Sequence, residues 1–581
     1  MNSPTGPTSK KIGQLFQQAN QAHVQGKFEN ARQGYLEVIK AQPKHFDALH
    51  LLGVLCCQLK DFSAAIDYIA RAIEISPNPA FYFSRAVAHQ ELGQLEAAED
   101  DYSQAIKGKP KYPEAYYNLG NLKRSQKNNS QAVTYFDKAL SLKPDYADAH
   151  FNRGNALKDL LEYDLAVQSF DNAIALNHSY AQAYLNKGIA LKEMGQFEGA
   201  LNCYQSALLI NPKYSDAYSN MGILQTELKQ WPQAMRSFQE ALNLNPQHTQ
   251  VLWNKSLLLL LHGNFKVGFE LYRARWSEGV MISPLLRTQK PWFASHERSP
   301  LNNASEPICD RLLIWAEQGI GDEIMFASLL PWASSLAKQI LVQTDERLIP
   351  LFKRSFPEYT FFAKGVPVGD HAFDFHMPMG QLAEMFCQSL DAFQSIRPCY
   401  LISDKIRRDQ IKSRIPQNGK PTIGISWRSK NDKKGLARSI SATDLVGALS
   451  FNGFGGMDVN RFNFINLQYA STQEEINLVR DALGIDLIGF NDIDNYLDID
   501  GLAALIDACD AVVSIDNSTV HLAGALGKTA LVLLPFSSDW RWGLNVSESY
   551  WYPSVRLYRQ TNAGEWAGPL LQLQADLPGL S

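Results

Sequence analysis

Residues recur along the first half of this chain at an interval of 34 positions, with one interval of 33. The most regular set is a series of alanines, and a series of prolines keeps the same steps with His178 in one place. The two series are Ala31, Ala65, Ala98, Ala132, Ala166, Ala200 and Ala234, and Pro43, Pro77, Pro110, Pro144, Pro212 and Pro246. A period of this length is that of a supersecondary unit, which buries its apolar face only by stacking on its neighbours.

The residue types at the repeated positions predict which unit is repeated. A small residue in a first helix lets a second helix approach closely, and a proline ends the second helix because it cannot continue the hydrogen-bond pattern. A 34-residue period with this pattern is typical of tetratricopeptide repeats. We therefore predict a flexible N-terminus over 1–10, an α-solenoid of seven repeats over 11–246 and an altered terminal repeat over 247–276.

One polar position also keeps the step of the repeat, and we call it the asparagine series. Its members are Asn118, Asn152, Asn186, Asn220 and Asn254. An asparagine inside a helix costs about 0.5 kcal/mol relative to alanine, so its recurrence suggests a task. Amides on the concave face of a solenoid can bind the backbone of a partner regardless of its side chains. We expect the series to hold an acceptor protein, whereas the alternative is an asparagine merely tolerated at an exposed position.

The pattern changes after Trp276, where proline and polar residues over 277–305 predict a linker. Beyond it, short apolar runs alternate with helical stretches, which predicts parallel sheets with intervening helices. This half is longer than one doubly wound sheet needs, so we expect two Rossmann-like domains facing a cleft, over 306–412 and 413–581. Ligands of such sheets bind at the carboxyl ends of the strands, and the loops there are the first places to search.

The first candidate loop follows the strand predicted over 311–316. Gly319 and Gly321 allow the backbone to turn tightly and come close to a ligand, and Gln318 lies beside them. Asp322 places a carboxylate at the mouth of the cleft, as a general base for a hydroxyl requires. The alternative is a simple strand-to-helix turn with an aspartate cap.

The second candidate loop, Asp516, Asn517, Ser518 and Thr519, lies between an apolar strand and a helix. Its hydroxyls and amides fall at the helix N-terminus, where free N–H groups and a partial positive charge suit a phosphate. Asp516 can accept hydrogen bonds from sugar hydroxyls, and His521 can donate to a phosphate. The alternative is that Asn517 or Ser518 only caps the helix and that His521 is structural.

Two further side chains are expected to contact the donor. Arg428 follows the strand predicted over 422–427 and can neutralise a phosphate leaving group, whereas the lysines behind it are expected to be solvated. Gln468 ends the strand predicted over 464–468 and can reach the base or sugar of a nucleotide. The pair Asp498 and Asp500 is predicted to cap a helix rather than bind manganese, so no metal and no cofactor is expected.

Composition excludes several classes of partner. The net charge of −4 gives no reason to expect nucleic acid or an anionic membrane as partner. The seven cysteines form neither a metal pattern nor an even disulfide framework, which favours reduced thiols. The N-terminus has no signal-peptide pattern, and no run approaches the ~20 apolar residues of a membrane span, so we expect a cytoplasmic protein without membrane insertion.

The chain resembles bacterial tetratricopeptide proteins whose C-terminal half is a GT-B glycosyltransferase, with two Rossmann domains. The resemblance covers nearly the whole chain from Lys11 to Gln560, and in the second half it rests on AEQGIGDE, GISWRSK, NLQYA, SIDNSTVHLAGALGK, DWRWG and WYPSVRLYRQ. It extends more loosely to lipopolysaccharide heptosyltransferases and protein O-linked N-acetylglucosamine transferases. The similarity to heptosyltransferases implies a catalytic base at Asp322 and a nucleotide loop at Asp516, Ser518 and His521.

The chain departs from both looser relatives. It lacks the His-Pro-Thr-type motif of the O-linked transferases, and it carries a repeat array that heptosyltransferases lack. In overall design it is similar to flagellin O-glycosyltransferases, which implies inverting transfer of a nonulosonic acid from a CMP donor to Ser or Thr of flagellin. The alternatives are a UDP- or ADP-sugar transferase acting on a protein, lipid or polysaccharide, and a non-catalytic adaptor.

Overall fold

The structure is a computed structural model that describes residues 9–276, 307–429, 435–450, 461–470 and 472–577. The predicted linker over 277–305 lies outside these ranges, and so does most of the predicted flexible N-terminus, although a helix already begins at Ser9. The chain divides into two units after Leu224. The first unit is helical, and the second contains the remaining repeat helices and both sheets.

Helices follow one another in pairs through the first unit, and the last of them continues past the unit boundary. The helices are α1 Ser9–Val24, α2 Phe28–Ala41, α3 Phe46–Gln58, α4 Phe62–Ile75, α5 Pro79–Glu91, α6 Leu95–Gly108, α7 Pro113–Ser125, α8 Asn129–Leu142, α9 Ala147–Asp159, α10 Tyr163–Leu176, α11 Ala181–Glu193, α12 Phe197–Ile210 and α13 Ser215–Glu227.

A glycine lies two positions after each of the first two members of the asparagine series, and the packing between the two helices of a repeat explains it. A Cβ placed on Gly120 would lie 2.7 Å from the ring of Phe136, and one on Gly154 would lie 2.6 Å from the ring of Phe170. Both rings are buried, so neither can move aside without a loss of packing. Glycine at this position therefore lets the two helices of a repeat approach each other.

The turn between the helices of a pair contains one residue with a left-handed backbone. This residue has φ between 57° and 77° at Gly26, Lys60, Gly93, Lys127, Leu161, Gly195, Lys229 and Gly263. Glycine adopts this conformation without steric cost, whereas a residue with a Cβ is disfavoured in it. The turn itself therefore has no need of a lysine side chain.

The second unit begins within α13 and contains the last repeat helices, α14 Trp231–Leu244, α15 Thr249–Leu261 and α16 Phe265–Tyr272, with a 3-10 turn over Arg273–Trp276. Phe265, Phe269 and Tyr272 of α16 are buried in the same apolar core as strand and helix residues of the sheets. Burial of such a side chain contributes roughly 1.5–3 kcal/mol. The terminal repeat is therefore packed into the core of the sheets, although its sequence pattern is that of the repeats.

Two parallel sheets follow, and together with the repeats they confirm the predicted fold class, an α-solenoid followed by an α/β module. The first has the order β3-β2-β1-β4 and the second β6-β5-β7-β8-β9. Their strands are β1 Cys309–Trp315, β2 Ala337–Thr344, β3 Thr360–Ala363, β4 Phe375–Pro378, β5 Thr422–Ser426, β6 Asn463–Asn466, β7 Ala511–Ile515, β8 Ala530–Leu534 and β9 Val555–Arg559.

Helices connect the strands, and every residue of β5, β7 and β8 is buried, as expected where helices cover both faces of a parallel sheet. The helices are α17 Ile320–Ala327, α18 Leu330–Ala333, α19 Ile349–Ser355, α20 Gln381–Phe386, α21 Leu390–Gln394, α22 Lys405–Arg414, α23 Gly435–Arg438, α24 Ala442–Ser450, α25 Gln473–Leu483, α26 Ile499–Ala508, α27 Ser518–Ala525 and α28 Ala567–Asp576.

Candidate active site

The two loops singled out in the sequence lie against each other in the second unit. α17 follows β1 in the first sheet, α27 follows β7 in the second, and the first turns of the two helices are in contact. A Cβ on Gly321 would lie 2.9 Å from Cδ2 of His521, whereas one on Gly319 would meet nothing within 4 Å. The glycine at position 321 therefore permits the close approach of one loop to the other.

Asp322 lies in the first turn of α17 and is held by Arg541, from the segment after β8. Nε of Arg541 donates to Oδ1 of Asp322 at 2.6 Å, and Nη2 contacts the same oxygen. The described residues donate no hydrogen bond to Oδ2 of Asp322, whose side chain is 18% exposed. One carboxylate oxygen is thus anchored, and the other remains available to a substrate hydroxyl.

A second carboxylate, Asp516, follows the carboxyl end of β7 and is almost fully buried. Its Oδ1 accepts from the indole Nε1 of Trp542 at 2.9 Å, and its Oδ2 pairs with the guanidinium of Arg438 at 3.1 Å. The ion pair lacks hydrogen-bond geometry, so Oδ2 is a buried acceptor that no described residue satisfies by a hydrogen bond.

Burial and charge act in opposite directions on this cluster of carboxylates and guanidiniums. Burial raises the pKa of Asp322 and of Asp516, and Arg541 and Arg438 respectively counteract part of the rise. Burial also acts to raise the pKa of Asp539, but Arg541 and Arg438 bring it below its usual value. A raised pKa makes Asp322 a stronger base than an exposed aspartate, as general-base chemistry requires.

His521 is buried between aromatic residues one turn into α27. Its ring stacks on Trp542 with the centroids 5.2 Å apart, and its Nδ1 shares a hydrogen bond of 3.0 Å with the hydroxyl of Tyr552. Burial, together with the charge of Arg541, lowers the pKa of His521 to about 3. The imidazole is therefore neutral at physiological pH, and any contact with a phosphate would come from a neutral N–H.

A side chain of the protein, that of Asn517, binds one of the backbone N–H groups at the N-terminus of α27. Oδ1 of Asn517 accepts from the backbone N–H of Thr519 at 3.0 Å, and Nδ2 donates to Ser426 at the end of β5. Asn517 therefore caps the helix, as the alternative in the sequence analysis held. Ser518 is half-buried, and the hydroxyl of fully buried Thr519 has no hydrogen-bond partner among the described residues.

Gln468 is buried and holds the loop that follows β5. Its Oε1 accepts from the backbone N–H groups of Trp427 and Arg428 at 2.9 and 2.8 Å, and its Nε2 donates to the carbonyl of Arg428. A nucleotide contact would have to replace one of these bonds, and it stays a prediction. Arg428 itself pairs with Glu475 at 3.3 Å, and its side chain is 40% exposed.

Residues of the terminal repeat hold the loop after β1. Nε2 of Gln318 donates to the hydroxyl of Tyr272 at 2.7 Å, and its Oε1 accepts from Arg541. Arg275 and Glu317 form an ion pair in which both side chains are 2% exposed. Burial raises the pKa of Glu317 to about 7, although Arg275 acts in the opposite direction. The end of the repeat array is thus part of the wall of the candidate site.

Sequence reasoning missed the two arginines at the centre of this site. The sequence analysis singled out neither Arg541 nor Arg438, yet Arg541 contacts Asp322 and Arg438 contacts Asp516. The close spacing of Asp539 and Arg541 was a usable signal, because Asp539 pairs with Arg541 in the structure.

The described residues contain no group of three His, Cys, Asp or Glu side chains that could hold a metal ion. Asp498 accepts from the backbone N–H of Gly501 at 2.8 Å and pairs with Arg407, and Asp500 pairs with Arg354. Asp498 therefore caps α26. In the ranges that the structure describes, no helix combines the length and the apolar character needed to cross a membrane.

The asparagine series lies on the first helix of successive pairs, and all five side chains are half-buried. Nδ2 of Asn152 donates to Oδ1 of Asn121 at 3.0 Å, and Nδ2 of Asn186 donates to Oδ1 of Asn155 at 2.7 Å. These bonds join neighbouring repeats, while no bond to Oδ1 of Asn152 or Asn186 is seen within the described ranges. Part of the series therefore stabilises the solenoid.

Nδ2 of Asn220 donates to a backbone carbonyl of its own helix at 2.8 Å. Nδ2 of Asn254, in the second unit, is buried with no hydrogen-bond partner among the described residues. Asn118 contacts the hydroxyl of Tyr102. The five positions thus share a place in the repeat and differ in their contacts.

Comparison with known protein families identifies the repeats. Profiles of the tetratricopeptide repeat match residues 16–79, 91–123, 120–160, 147–180, 181–214 and 216–248. The first half of the chain is therefore an array of tetratricopeptide repeats, a class of solenoid whose extended surfaces bind other proteins.

Among curated proteins, the chain is 30% identical over 332 residues to Protein FlbA of Caulobacter vibrioides, a match that covers 54% of this chain and 52% of FlbA. It is 37% identical over 116 residues to human tetratricopeptide repeat protein 6, covering 20% of this chain and 22% of that protein. The chain thus spans about half the length of FlbA and about a fifth of the human protein.

Among solved structures, the chain is similar to YrrB, described as a TPR protein with an unusual peptide-binding site, with 25% identity and a TM-score of 0.30. That match covers 32% of this chain and 98% of YrrB.

Proposed function

We propose that the protein is an inverting glycosyltransferase of the GT-B type that binds an acceptor protein through its repeats and glycosylates a hydroxyl of that protein. The observation that carries the proposal is the hydrogen bond between Asp322, which follows β1, and Arg541, which lies in the segment after β8. The loops that follow β1 in one sheet and β7 and β8 in the other all contribute to one charged cluster. Carboxyl ends of parallel strands are where such folds bind ligands.

In the proposed reaction, Oδ2 of Asp322 accepts the proton of a Ser or Thr hydroxyl. The hydroxyl oxygen forms a bond to the anomeric carbon of the sugar, on the face opposite the nucleotide, and the bond from that carbon to the phosphate oxygen breaks. The electron pair leaves with the nucleotide phosphate, and the sugar is transferred with inverted configuration. Asp322 is suited to this role by its anchored Oδ1 and its pKa raised by burial.

The negative charge that develops on the leaving phosphate needs donors fixed in advance. The N-terminus of α27, with half-buried Ser518 at its start, supplies amide groups and a partial positive charge. Arg428 supplies a cation after the carboxyl end of β5, the strand that pairs with β7 in the same sheet. Asp516 Oδ2 and Thr519 Oγ1 are unsatisfied buried polar atoms that hydroxyls of the donor can pair with after a small shift.

The identity of donor and acceptor rests on the resemblance to flagellin O-glycosyltransferases. We propose a CMP-activated nonulosonic acid as donor and flagellin as acceptor, with no metal and no cofactor. The second candidate is a UDP- or ADP-sugar used on a protein, lipid or polysaccharide, since the same cluster serves any nucleotide phosphate. The repeats favour a protein acceptor because arrays of this kind bind extended protein segments.

The test combines the full chain with purified flagellin or a glycolipid and, in separate reactions, a CMP-linked nonulosonic acid, a UDP-sugar and an ADP-sugar. Intact mass spectrometry should show flagellin heavier by whole sugar units with the CMP donor alone. Transfer from another donor or to the glycolipid instead would replace the donor or acceptor assignment. No transfer from any donor, together with no CMP, UDP or ADP binding by calorimetry, would overturn the proposal in favour of an adaptor.

A further inference from the structure

A cavity of about 360 Å³ lies in the second unit. It is bounded on one side by the last repeats and on the other by the segment that follows β8 and by the last residue of β9. Lys229 and Trp231 contribute from the repeat side, and Phe536, Tyr550 and Arg559 from the sheet side. None of the described residues that line it is an aspartate or a glutamate. Among the described residues, the cavity shares none of its lining with the Asp322 cluster, by which we mean Asp322, Asp516, Asp539, Arg438 and Arg541.

Arg559 is a cation at the cavity, and its N–H donors are only partly used in hydrogen bonds. Its Nη1 donates to the hydroxyl of Ser538 at 2.9 Å, and its Nη2 donates to the carbonyls of Trp542 and Val546. Its Nε is buried and has no hydrogen-bond partner among the described residues. Burial lowers the pKa of Arg559 to about 10, because no carboxylate offsets the cost of removing the charge from water.

Lys229 places a second cation at the same cavity. Its Nζ lies 3.6 Å from the ring centroid of Phe536, a cation–π contact. Burial lowers the pKa of Lys229, and repulsion from Arg559 lowers it further. In the described ranges, neither cation has an ion pair with a carboxylate. Two like charges that repel each other across a cavity are the arrangement that a bound anion would stabilise.

The fold offers no other reason for a lysine at position 229. It lies in the left-handed turn of its repeat, with φ at 57°, where four of the eight repeats have glycine. Lysine is less favourable than glycine in this conformation, so the side chain is retained at some steric cost. Lys60 and Lys127 occupy the same turn position in other repeats, and of these three lysines only Lys229 lines the cavity.

We propose that this cavity binds a small organic anion, a phosphate or carboxylate attached to a sugar-sized ring, with the anionic group between Lys229 and Arg559. Ligand pockets are typically about 300–1,000 Å³, so the cavity suits one such ring rather than a whole nucleotide-sugar. Trp231 and Tyr550 offer aromatic faces against which the ring can pack. The arginine fork matches the planar geometry of either oxyanion.

Calorimetric titration of the full chain with glucose 6-phosphate, glucuronate and glucose tests the proposal. We expect at least one of the two anions to bind at least tenfold more tightly than glucose, and the tighter anion distinguishes phosphate from carboxylate. Lys229→Gly should weaken this binding at least tenfold. The matched control is Lys127→Gly, which makes the same change at the same turn position of a repeat that does not line the cavity.

Arg559→Gln should also weaken binding, with Arg556→Gln, an exposed arginine of the same strand, as its control. If Arg559→Gln lowers the melting temperature, the comparison of Lys229→Gly with Lys127→Gly decides the outcome alone. Those two variants should fold normally, because glycine occupies the same turn position in four other repeats. Binding of neither anion, or equal binding by Lys229→Gly and Lys127→Gly, would overturn the proposal. Anion binding that survives Lys229→Gly and is displaced by CMP would assign it to the Asp322 cluster instead, whether or not that cluster is catalytic.

Discussion

Arg541 and Asp322, 219 positions apart in the chain, are joined by a hydrogen bond of 2.6 Å between Nε and Oδ1. The bond links the segment after β8 in the second sheet to the first turn of α17 after β1. It fixes one carboxylate oxygen and leaves the other without a donor among the described residues. The position and basicity of Asp322 therefore depend on a residue from the other sheet.

Asp322→Asn should reduce glycosyl transfer by roughly 10²- to 10⁴-fold, the range expected when a general base is removed. Asparagine keeps the size of the side chain and an oxygen that Arg541 can bind, so we expect the melting temperature to change little. Asp310→Asn, at an exposed carboxylate of the same sheet, is the control and should keep full activity. Equal turnover by the two variants would remove Asp322 from the mechanism.

Arg541→Gln should shift the pH dependence of transfer. Asp322 must be ionised to accept a proton, so kcat/KM falls as the pH falls through its pKa. The charge of Arg541 lowers the pKa of Asp322, so its removal should raise that pKa and move the acid limb to higher pH. A pH profile of kcat/KM, with Arg556→Gln as control, measures the shift. An acid limb that stays in place would show that another group sets it.

Gly321→Ala should be far more disruptive than Gly319→Ala, although the two glycines are two positions apart. The new methyl at position 321 would lie 2.9 Å from the ring of His521, while the one at 319 would meet nothing within 4 Å. Because His521 is stacked on Trp542, we expect an overpacking cost of about 1–3 kcal/mol at position 321. Thermal melting and transfer assays of both variants test this, and similar behaviour would contradict it.

The contributions of Glu317 and His521 to the free energy of unfolding should change with pH in opposite directions. Between pH 4.5 and about 7 folded Glu317 keeps a proton that the unfolded chain releases, so its contribution to stability declines as the pH rises. In the unfolded chain His521 takes up a proton below pH 6.5, whereas in the folded protein its pKa is about 3 and it stays neutral. The contribution of His521 to stability therefore declines as the pH falls below 6.5.

Glu317→Gln mimics the protonated acid and should therefore be least destabilising, relative to the unmodified protein, at pH 7. At 1.36 kcal/mol per pKa unit, the difference between pH 4.5 and pH 7 amounts to roughly 3 kcal/mol at most. Melting temperatures measured across this range, with exposed Glu358→Gln for comparison, decide the matter. A gap between variant and unmodified protein that is constant with pH would be inconsistent with a raised pKa.

Asn186→Ala should weaken binding of the acceptor protein, whereas Asn155→Ala should not. Both substitutions break the same hydrogen bond between neighbouring repeats, so they carry a similar structural cost of about 1 kcal/mol. Only the first removes a member of the asparagine series. Acceptor affinity measured by calorimetry separates recognition from solenoid stability, and parallel losses in the two variants would favour the purely structural role.

The repeats and most of the strands were predictable because their signals are local and periodic. The alanine and proline series places the helix pairs, and the runs predicted over 422–427, 511–515 and 529–534 coincide with the fully buried strands β5, β7 and β8. The four-residue strands β3 and β4 and the strand β9 were not predicted. β9 has an exposed arginine at position 556 within it, so its sequence does not form a continuous apolar run.

The candidate site was predictable only in part, since residue type identifies a group but not its partners. Sequence alone predicted a carboxylate at Asp322 and polar groups at 516–521. The nucleotide contact expected of Gln468 stays a prediction, and nothing in the sequence indicated that its amide holds the loop after β5. A buried amide bonds whichever backbone groups packing places within reach, and that choice has no local signature.

The period of the repeats and the alternation of strands and helices were determined by the sequence itself, because each reflects an apolar pattern that one segment must bury. The partners of Asp322 and Asp516, the burial that raises the pKa of both, and the cations facing one cavity were decided by the tertiary structure alone. Arg541, Arg438, Lys229 and Arg559 look like ordinary basic residues along the chain. Their roles depend on distance and on removal from water, which only the packing of distant segments determines.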